Sequence, residues 1–422
     1  MSNQLFGISP FSRGNGEGIS TENASSAFEQ LYRNVCRTQS ESIDFQRLKG
    51  QAEIFIQQYQ DDIECIRQFQ RDIRIIMMKR ESKNEEKVSN DAPHFPCKVQ
   101  PAWSCNVSLP NSIKANLKFA LSINSIVFAV CFDNSGTLVA FTDLRTLYIA
   151  NANDGSIIAS SIISSISNKE SSSTISLLFS PNNQFIAVSG FKNDVLICSS
   201  QNASLVATLE GHSRHVTSFA FHPDSSKLYT GGMDGLFCIW DMSNFSLLSK
   251  KQLGDMDGTN QETVITGLAI AHDGAYIAAS FFGGNVGLFE PVFDNNIQQP
   301  MNIFHAHQKG LYGIAMSSDS TMLATTSTDQ TVKIWSLKGI TSCYKILNGH
   351  QNLVLTVCFS PDKSFIFTGS KDESIMAWNV KTGENIFTIN AHKNTLLKIS
   401  HSPTQNNFVS CSGEGLICMW EY

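Results

Sequence analysis

Four segments of the sequence share one fixed spacing of a histidine, an acid and a tryptophan. In each segment the acid lies six residues before the tryptophan, and the histidine lies 22 residues before the acid. The four sets are His212, Asp234 and Trp240; His307, Asp329 and Trp335; His350, Asp372 and Trp378; and His392, Glu414 and Trp420. Because the same spacing recurs four times, it predicts a structural unit that is repeated along the chain.

Three weaker copies complete this pattern. Ala150, Cys198 and Phe289 occupy their tryptophan positions, so the seven marker positions follow one another at intervals of 42 to 49 residues. Each interval holds about four short apolar runs separated by turn residues, which is typical of β-strands. Seven such units match WD repeats and predict an all-β fold, a seven-bladed WD-repeat β-propeller.

The propeller is predicted to occupy residues 113–422 and to be closed by an N-terminal strand. The sequence ends at Tyr422, directly after the third strand of the seventh unit, so the seventh blade would expose an unpaired edge. Residues 113–121, IKANLKFAL, resemble the strands that precede the repeated histidines. We therefore expect this segment to complete the last blade and to close the ring.

Serine, histidine and aspartate occur together in these units, which is the composition of a hydrolytic triad. Ser327, Ser370 and Ser412 each lie two residues before the acid of their unit. A catalytic triad is needed only once, whereas this set recurs in three units, so the pattern favours a structural role. We expect each serine hydroxyl to bridge the histidine and the tryptophan N–H, and we expect no enzymatic activity.

The N-terminal region has a different character. Residues 26–86 contain one glycine and no proline. Apolar residues in their second half follow the 3.5-residue spacing of a coiled coil: Ile56, Tyr59, Ile63, Ile66, Ile73 and Met77. This predicts an α-helical segment for self-association, preceded by a flexible tail (1–25) and followed by a proline-rich linker (87–112). A helix packed on a neighbouring domain is the alternative, and the spacing does not distinguish a dimer from a tetramer.

Charge and composition argue against several classes of function. The net charge is −6 and the pI about 5.9, which disfavours direct binding of nucleic acid. There is no run of about 18 apolar residues, so we expect no membrane span. The eleven cysteines form no CxxC pair, and we expect free thiols in a reducing compartment, without a metal or a cofactor.

Several stretches resemble the Tup-type transcriptional corepressors, which are related to Groucho. They are 125-SIVFAVCFDNSGTLVAF-141, 153-NDGSIIAS-160, 274-GAYIAAS-280, 308-QKGLYGIAMSSD-319 and 368-TGSKDESIMAWNVKTGE-384, together with 103-WSCNVSLP-110. The resemblance covers about residues 100–422. It implies a nuclear corepressor that DNA-binding repressors recruit through the propeller.

The same resemblance implies partners for the N-terminal half of the chain. In that family the N-terminal helix forms a tetramer and holds a tetratricopeptide-repeat corepressor, and the segment before the propeller contacts histone tails. In this chain that segment covers only residues 87–112 and contains no long low-complexity region. The alternative function is a WD-repeat adaptor in a ubiquitin-ligase or pre-mRNA splicing complex.

A partner is expected to bind the end of the propeller that carries the histidines and acids. Residues that follow each histidine, and one residue of an acid-bearing turn, should reach this end around the central channel. They are Phe128, Arg214, His215, Lys309, Tyr312, Leu355, Lys371 and Leu397. Phe128 and Tyr312 are the expected anchors, because exposed aromatic side chains contribute strongly to interfaces.

Overall fold

The computed structural model describes residues 96–107, 113–143, 145–163, 176–189, 193–253, 264–290, 301–339 and 341–422. The predicted tail (1–25) and helical segment (26–86), with Ile56, Tyr59, Ile63, Ile66, Ile73 and Met77, lie outside the described residues. In the described ranges the chain forms β-strands, which we number β1 to β30.

The strands assemble into seven antiparallel sheets, blades I to VII, and in blades I to V the strands follow one another along the chain from the inner to the outer edge. Blade I contains β4 (Ala129–Phe132), β5 (Leu138–Thr142), β6 (Thr146–Asn151) and β7 (Ile157–Ile162). Blade II contains β8 (Leu177–Phe179), β9 (Phe185–Ser189), β10 (Val195–Ser199) and β11 (Leu205–Leu209). Blade III contains β12 (Val216–Phe221), β13 (Lys227–Gly232), β14 (Leu236–Asp241) and β15 (Ser246–Gln252).

Blades IV and V follow the same order, and blades VI and VII carry strands from earlier in the chain at their outer edges. Blade IV contains β16 (Ile265–Ile270), β17 (Ile277–Phe281), β18 (Asn285–Phe289) and β19 (Asn302–His305). Blade V contains β20 (Leu311–Met316), β21 (Met322–Ser327), β22 (Val332–Ser336) and β23 (Ser342–Leu347). Blade VI contains β24 (Val354–Phe359), β25 (Phe365–Ser370), β26 (Ser374–Asn379), β27 (Asn385–Asn390) and, outermost, β2 (Ser104–Val107). Blade VII contains β28 (Leu396–His401), β29 (Asn407–Ser412), β30 (Leu416–Glu421), β3 (Asn116–Ser122) and β1 (Cys97–Val99).

The inner strands of consecutive blades contact one another around the whole ring, and β28 of blade VII contacts β4 of blade I. This arrangement confirms the predicted seven-bladed all-β propeller. Apolar side chains from facing blades form the core between them. Between blades VI and VII, for example, Phe367, Ile399, Phe408 and Trp420 belong to one buried cluster. The alternation of apolar residues along each strand supplies these facing layers.

The ring is closed by a strand from the N-terminal side of the propeller. β3 pairs antiparallel with β30, and Ser122 lies opposite Leu416. Directly after β3, the Ile123 amide donates a hydrogen bond to the Gly415 carbonyl at 2.8 Å. The strand begins at Asn116, within the segment that the sequence predicts for this position, and it covers the edge that β30 would otherwise expose.

The described part of the predicted linker, residues 96–107, forms strands of the propeller, so the prediction of a linker is wrong there. Residues 96–107 contain β1, which adds outside β3, and β2, which adds outside β27. Their apolar residues Val99 and Cys105 pack against the core between blades VI and VII. The prolines that favoured a linker, Pro96 and Pro101, stand beside the strands, where the missing N–H breaks no pairing.

Trp103 lies between β1 and β2 and packs against the last blade. Its ring meets Trp420 edge to face, with 5.5 Å between the ring centroids. An aromatic contact of this kind contributes about 0.5–1.5 kcal/mol beyond its buried area. Trp103 therefore helps to hold the N-terminal segment on the outer edges of blades VI and VII.

Two regular bulges shape the blades. The first follows the first residue of an inner strand, and its extra residues are Thr217, Thr266, Tyr312, Leu355 and Leu397, which we call the inner-bulge residues. The second lies in the outer strand beside the tryptophan position, and its extra residues are Lys118, Ile158, Val206, Leu248, Tyr344 and Ile386, the outer-bulge residues. A bulge redirects side chains, so these two sets of residues determine which side chains are presented along the inner and the outer strands of the blades.

Candidate functional site

The repeated histidines and acids form hydrogen-bonded pairs at one end of blades III, V, VI and VII. The histidine Nδ1 lies 3.1 Å from Asp234 in blade III, 2.9 Å from Asp329 in blade V, 2.9 Å from Asp372 in blade VI and 3.2 Å from Glu414 in blade VII. All four histidines are buried. Each pair therefore joins the loop that enters a blade to the turn between its second and third strands.

The second nitrogen of each histidine faces a buried hydroxyl that also accepts from the tryptophan. In blade V, His307 Nε2 lies 2.9 Å from Thr325 Oγ1, and Trp335 Nε1 donates to the same oxygen at 2.9 Å. The hydroxyls in the other blades occupy the same place, and they belong to Thr230, Thr368 and Ser410.

The chemistry of the four groups assigns the proton positions. A carboxylate only accepts, so His307 Nδ1 carries a proton toward Asp329, and in the neutral imidazole Nε2 then accepts. The Thr325 hydroxyl donates to that nitrogen while its oxygen accepts from Trp335. The chain of donors and acceptors is complete in this state, and each blade of this type gains a fully satisfied buried polar network.

The bridging role predicted for the serines of this network is wrong. Ser327 Oγ accepts from the Asp329 amide at 3.1 Å, and it does not bridge His307 and Trp335. Ser370 accepts in the same way from the Asp372 amide, whereas Ser412 donates to Glu414. Residues two apart on a strand lie on the same face, so position 325 and position 327 look equivalent in the sequence. Only the hydroxyl at position 325 lies within hydrogen-bonding distance of the Trp335 indole N–H.

The acids of the network are held ionised. Burial alone would raise the pKa of Asp329, but hydrogen bonds from His307 and Thr331 outweigh it and lower the pKa to about 2. The same balance, with His212 as the main partner, lowers the pKa of Asp234 to about 2. The carboxylates also accept from loop amides, such as Ser213 N at 2.7 Å from Asp234. The groups of the apparent triad are thus engaged in fixing loops.

The residues expected to meet a partner fall into two groups. Arg214 and Lys309 are exposed in the loops that follow the histidines, whereas His215 and Lys371 are half-buried. The other group is Tyr312, Leu355 and Leu397, which are half-buried inner-bulge residues of three consecutive blades. We call these three, with Phe282, the channel mouth.

Phe128 does not belong to this surface. Its side chain is only 6% exposed and lies in the core between blades I and II. The repeat spacing is shifted by one residue in blade I. The turn acid there is Asp143, which accepts from the Arg145 and Thr146 amides at 2.7 Å each. Phe128 is therefore a core residue and is not an interface anchor.

Phe282 is a residue of the channel mouth that the sequence-based prediction missed. It lies in the turn after β17 and contacts Tyr312 edge to face, with 6.3 Å between the centroids. Counting six residues back from the marker Phe289 leads to Gly283 in this turn, so the repeat spacing itself could have indicated it. In blades III and IV the inner-bulge residues are Thr217 and Thr266, so among the five inner-bulge residues the apolar ones belong to blades V, VI and VII.

Within the described ranges, no group of three or more histidine, cysteine, aspartate or glutamate side chains is arranged to hold a metal ion. Among the same residues there is no helix with the length and apolar character needed to cross a membrane.

Comparison with known proteins identifies the repeat. The family model "WD domain, G-beta repeat" matches residues 203–241, 298–336, 341–379 and 383–421. These are the segments that contain the four complete His–acid–Trp sets. The chain is a WD-repeat protein. Its blades I, II and IV complete the ring without a complete set.

Similar proteins include subunits of larger assemblies. This WD-repeat protein is 27% identical to target of rapamycin complex subunit LST8 of Saccharomyces cerevisiae, over 36% of this chain and 63% of the relative. It is 28% identical to the Rattus norvegicus subunit of the same name, over 38% of this chain and 61% of the relative. It is 27% identical to a guanine nucleotide-binding protein subunit beta of Zea mays, over 32% and 35%. The chain thus spans less than two thirds of the length of these relatives.

Proposed function

We propose that this WD-repeat protein is a non-enzymatic scaffold, a binding subunit of a multiprotein complex. The observation that carries the proposal is the channel mouth, where Phe282, Tyr312, Leu355 and Leu397 bring apolar side chains to the end of the ring that the His–acid pairs make rigid. A preformed, rigid site loses little conformational entropy when a partner binds.

The polar network supports this function indirectly. The carboxylates hold the loop amides of Ser213, Gln351 and Lys393, so the loops around the channel are fixed before a partner arrives. An apolar side chain of the partner would enter the channel mouth. The exposed side chains of Arg214 and Lys309, in the loops that follow two of the repeated histidines, favour an approaching acidic surface.

Similarity to named complex subunits favours an adaptor over a corepressor. The relatives from Saccharomyces cerevisiae and Schizosaccharomyces pombe are both named as subunits of the target of rapamycin complex. A chain with this propeller would occupy a comparable place in an assembly. Ubiquitin-ligase and splicing complexes also contain adaptors of this kind, so they are further candidates for the assembly. The protein composition of the purified complex distinguishes these candidates.

The size and composition of the native complex test the proposal. A tagged full-length chain, purified under mild conditions, should elute far above its mass of 46.5 kDa with other proteins in fixed ratio. Purification of the chain by itself, at the mass of a monomer, would overturn the scaffold function. A serine-reactive fluorophosphonate should leave Ser327 unlabelled, because its hydroxyl is buried and accepts from the Asp329 amide.

The corepressor is the second candidate, and the stretches 125–141, 274–280, 308–319 and 368–384 favour it. In that function DNA-binding repressors recruit the propeller in the nucleus, and the N-terminal helix self-associates and binds a tetratricopeptide-repeat corepressor. Tethering the full chain beside a reporter gene separates the candidates. Repression of the reporter supports the corepressor, whereas an unchanged reporter with a stable cellular complex supports the adaptor.

A further inference from the structure

The outer edge of each blade needs protection, because its unpaired N–H and C=O groups can bind another strand. β1 covers the edge of blade VII and β2 that of blade VI. Lysines lie on the edges of blade III (Lys250, Lys251) and blade V (Lys345), and β19 of blade IV has only four residues. β7 and β11, the edges of blades I and II, contain no charged residue and no proline.

β7 combines this lack of protection with a row of exposed apolar side chains. Ile158 is 53% exposed and Ile162 is 65% exposed. Ile158 is the outer-bulge residue, and Ile162 lies four residues further along the same outer strand. On β11, Val206 is the corresponding outer-bulge residue, but the exposed residue four positions after it is the charged Glu210, so blade II forms no such apolar row.

In blade VI a fifth strand is present, and the outer-bulge residue there can be compared with Ile158 of blade I. Ile386 is the outer-bulge residue there, as Ile158 is in blade I. Where β2 pairs with β27, Ile386 is only 7% exposed, against 53% for Ile158. Ile386 belongs to the buried cluster against which Cys105 of β2 packs. The propeller thus already contains one example of an extended segment that docks on a blade edge and is accompanied by burial of the outer-bulge residue.

We propose that β7 is a docking edge for an extended segment of a partner protein, which adds to blade I as a fifth antiparallel strand. The segment has the chemistry of β2, which is uncharged and carries Cys105 and Val107 at alternate positions. Backbone hydrogen bonds to β7 give the affinity, and small apolar side chains over Ile158 and Ile162 give the selectivity. This edge is separate from the channel mouth, so the proposal does not depend on the function proposed above.

A peptide with the sequence of residues 103–109, WSCNVSL, is a suitable probe. It is added to the full-length chain, and hydrogen–deuterium exchange is followed strand by strand. The amides of β7 should exchange about threefold more slowly or better with saturating peptide, while those of β15 and β23 should not change. The double variant Ile158→Lys/Ile162→Lys should lose this response. Tyr344→Lys, at an outer-bulge residue with 46% exposure, is the matched control and should keep it.

Any one of four results would overturn the proposal. The peptide could leave β7 unprotected, or protect β15 and β23 as strongly as β7. The double variant, if its circular dichroism shows the native fold, could respond like the wild type. In the free chain β7 could already exchange as slowly as β27, which means that another part of the chain or a second copy covers it. Sedimentation of the wild type and the double variant then distinguishes these two occupants.

Discussion

Replacing Thr325 by valine preserves the shape of the side chain but removes the hydroxyl at the centre of the blade V network. That hydroxyl lies 2.9 Å from both Trp335 Nε1 and His307 Nε2, and Thr325 and His307 are fully buried. Valine leaves the indole N–H without an acceptor and the imidazole nitrogen without a donor. Each buried polar group without a partner costs about 1–3 kcal/mol. We expect Thr325→Val to lower the free energy of unfolding by roughly 2–6 kcal/mol.

Ser327→Ala provides the matched control on the same face of the same strand. It removes the hydrogen bond from the Asp329 amide and a longer one, 3.4 Å, to the Lys309 carbonyl, and it should cost about 1–2 kcal/mol. Urea unfolding followed by tryptophan fluorescence measures both variants, with the midpoint compared at constant slope. The reasoning is refuted if Ser327→Ala lowers the midpoint as much as Thr325→Val, because the serine would then be the bridging group.

Three further predictions concern the closure of the ring and the charge of the network. Trp103→Ala removes the ring contact with Trp420 and should speed hydrogen exchange in β1 and β2, with no change in β12. Gly415 has φ +84°, and a Cβ there would lie 2.2 Å from the Ile123 carbonyl oxygen, so Gly415→Ala should destabilise the propeller by about 1–3 kcal/mol in thermal unfolding. The pKa of Asp329 is lower in the folded chain, about 2, than its ordinary value of 3.8. Its contribution is therefore complete above pH 3.8 and is lost as the pH falls toward 2; Asp329→Asn should show a flatter fall of stability across that window.

The repeat spacing was sufficient to predict the ring, because the number of units and the number of strands in each unit follow from intervals that the sequence displays directly. The same spacing located the four His–acid pairs. It could not decide between Thr325 and Ser327, since both positions face the same side of β21 and only the depth in the blade separates them. The signal that separates them lies in blade III, where Gly232 takes the place of the serine while Thr230, ten residues before Trp240, keeps the hydroxyl.

Two other differences arise from local irregularity. In blade I the turn acid is Asp143, one residue earlier than the marker at Ala150 indicates, and β4 pairs with β5 without an inner bulge, while Phe128 packs in the core between blades I and II. β1 and β2 are three and four residues long and lie among prolines. Strands of this length show no periodicity, and their partners are far away in the sequence, so composition alone favoured a linker.

The central proposal is that partner proteins bind at the channel mouth, and the mass of the native complex tests it most directly. The apparent mass of the purified native complex is compared for the wild type, for the double variant Phe282→Ala/Tyr312→Ala, and for Tyr344→Ala on the rim of blade V. We predict that the Phe282→Ala/Tyr312→Ala chain folds, as judged by its circular dichroism, but elutes without its partners, whereas Tyr344→Ala retains them. A folded double variant that keeps the full complex would contradict the account.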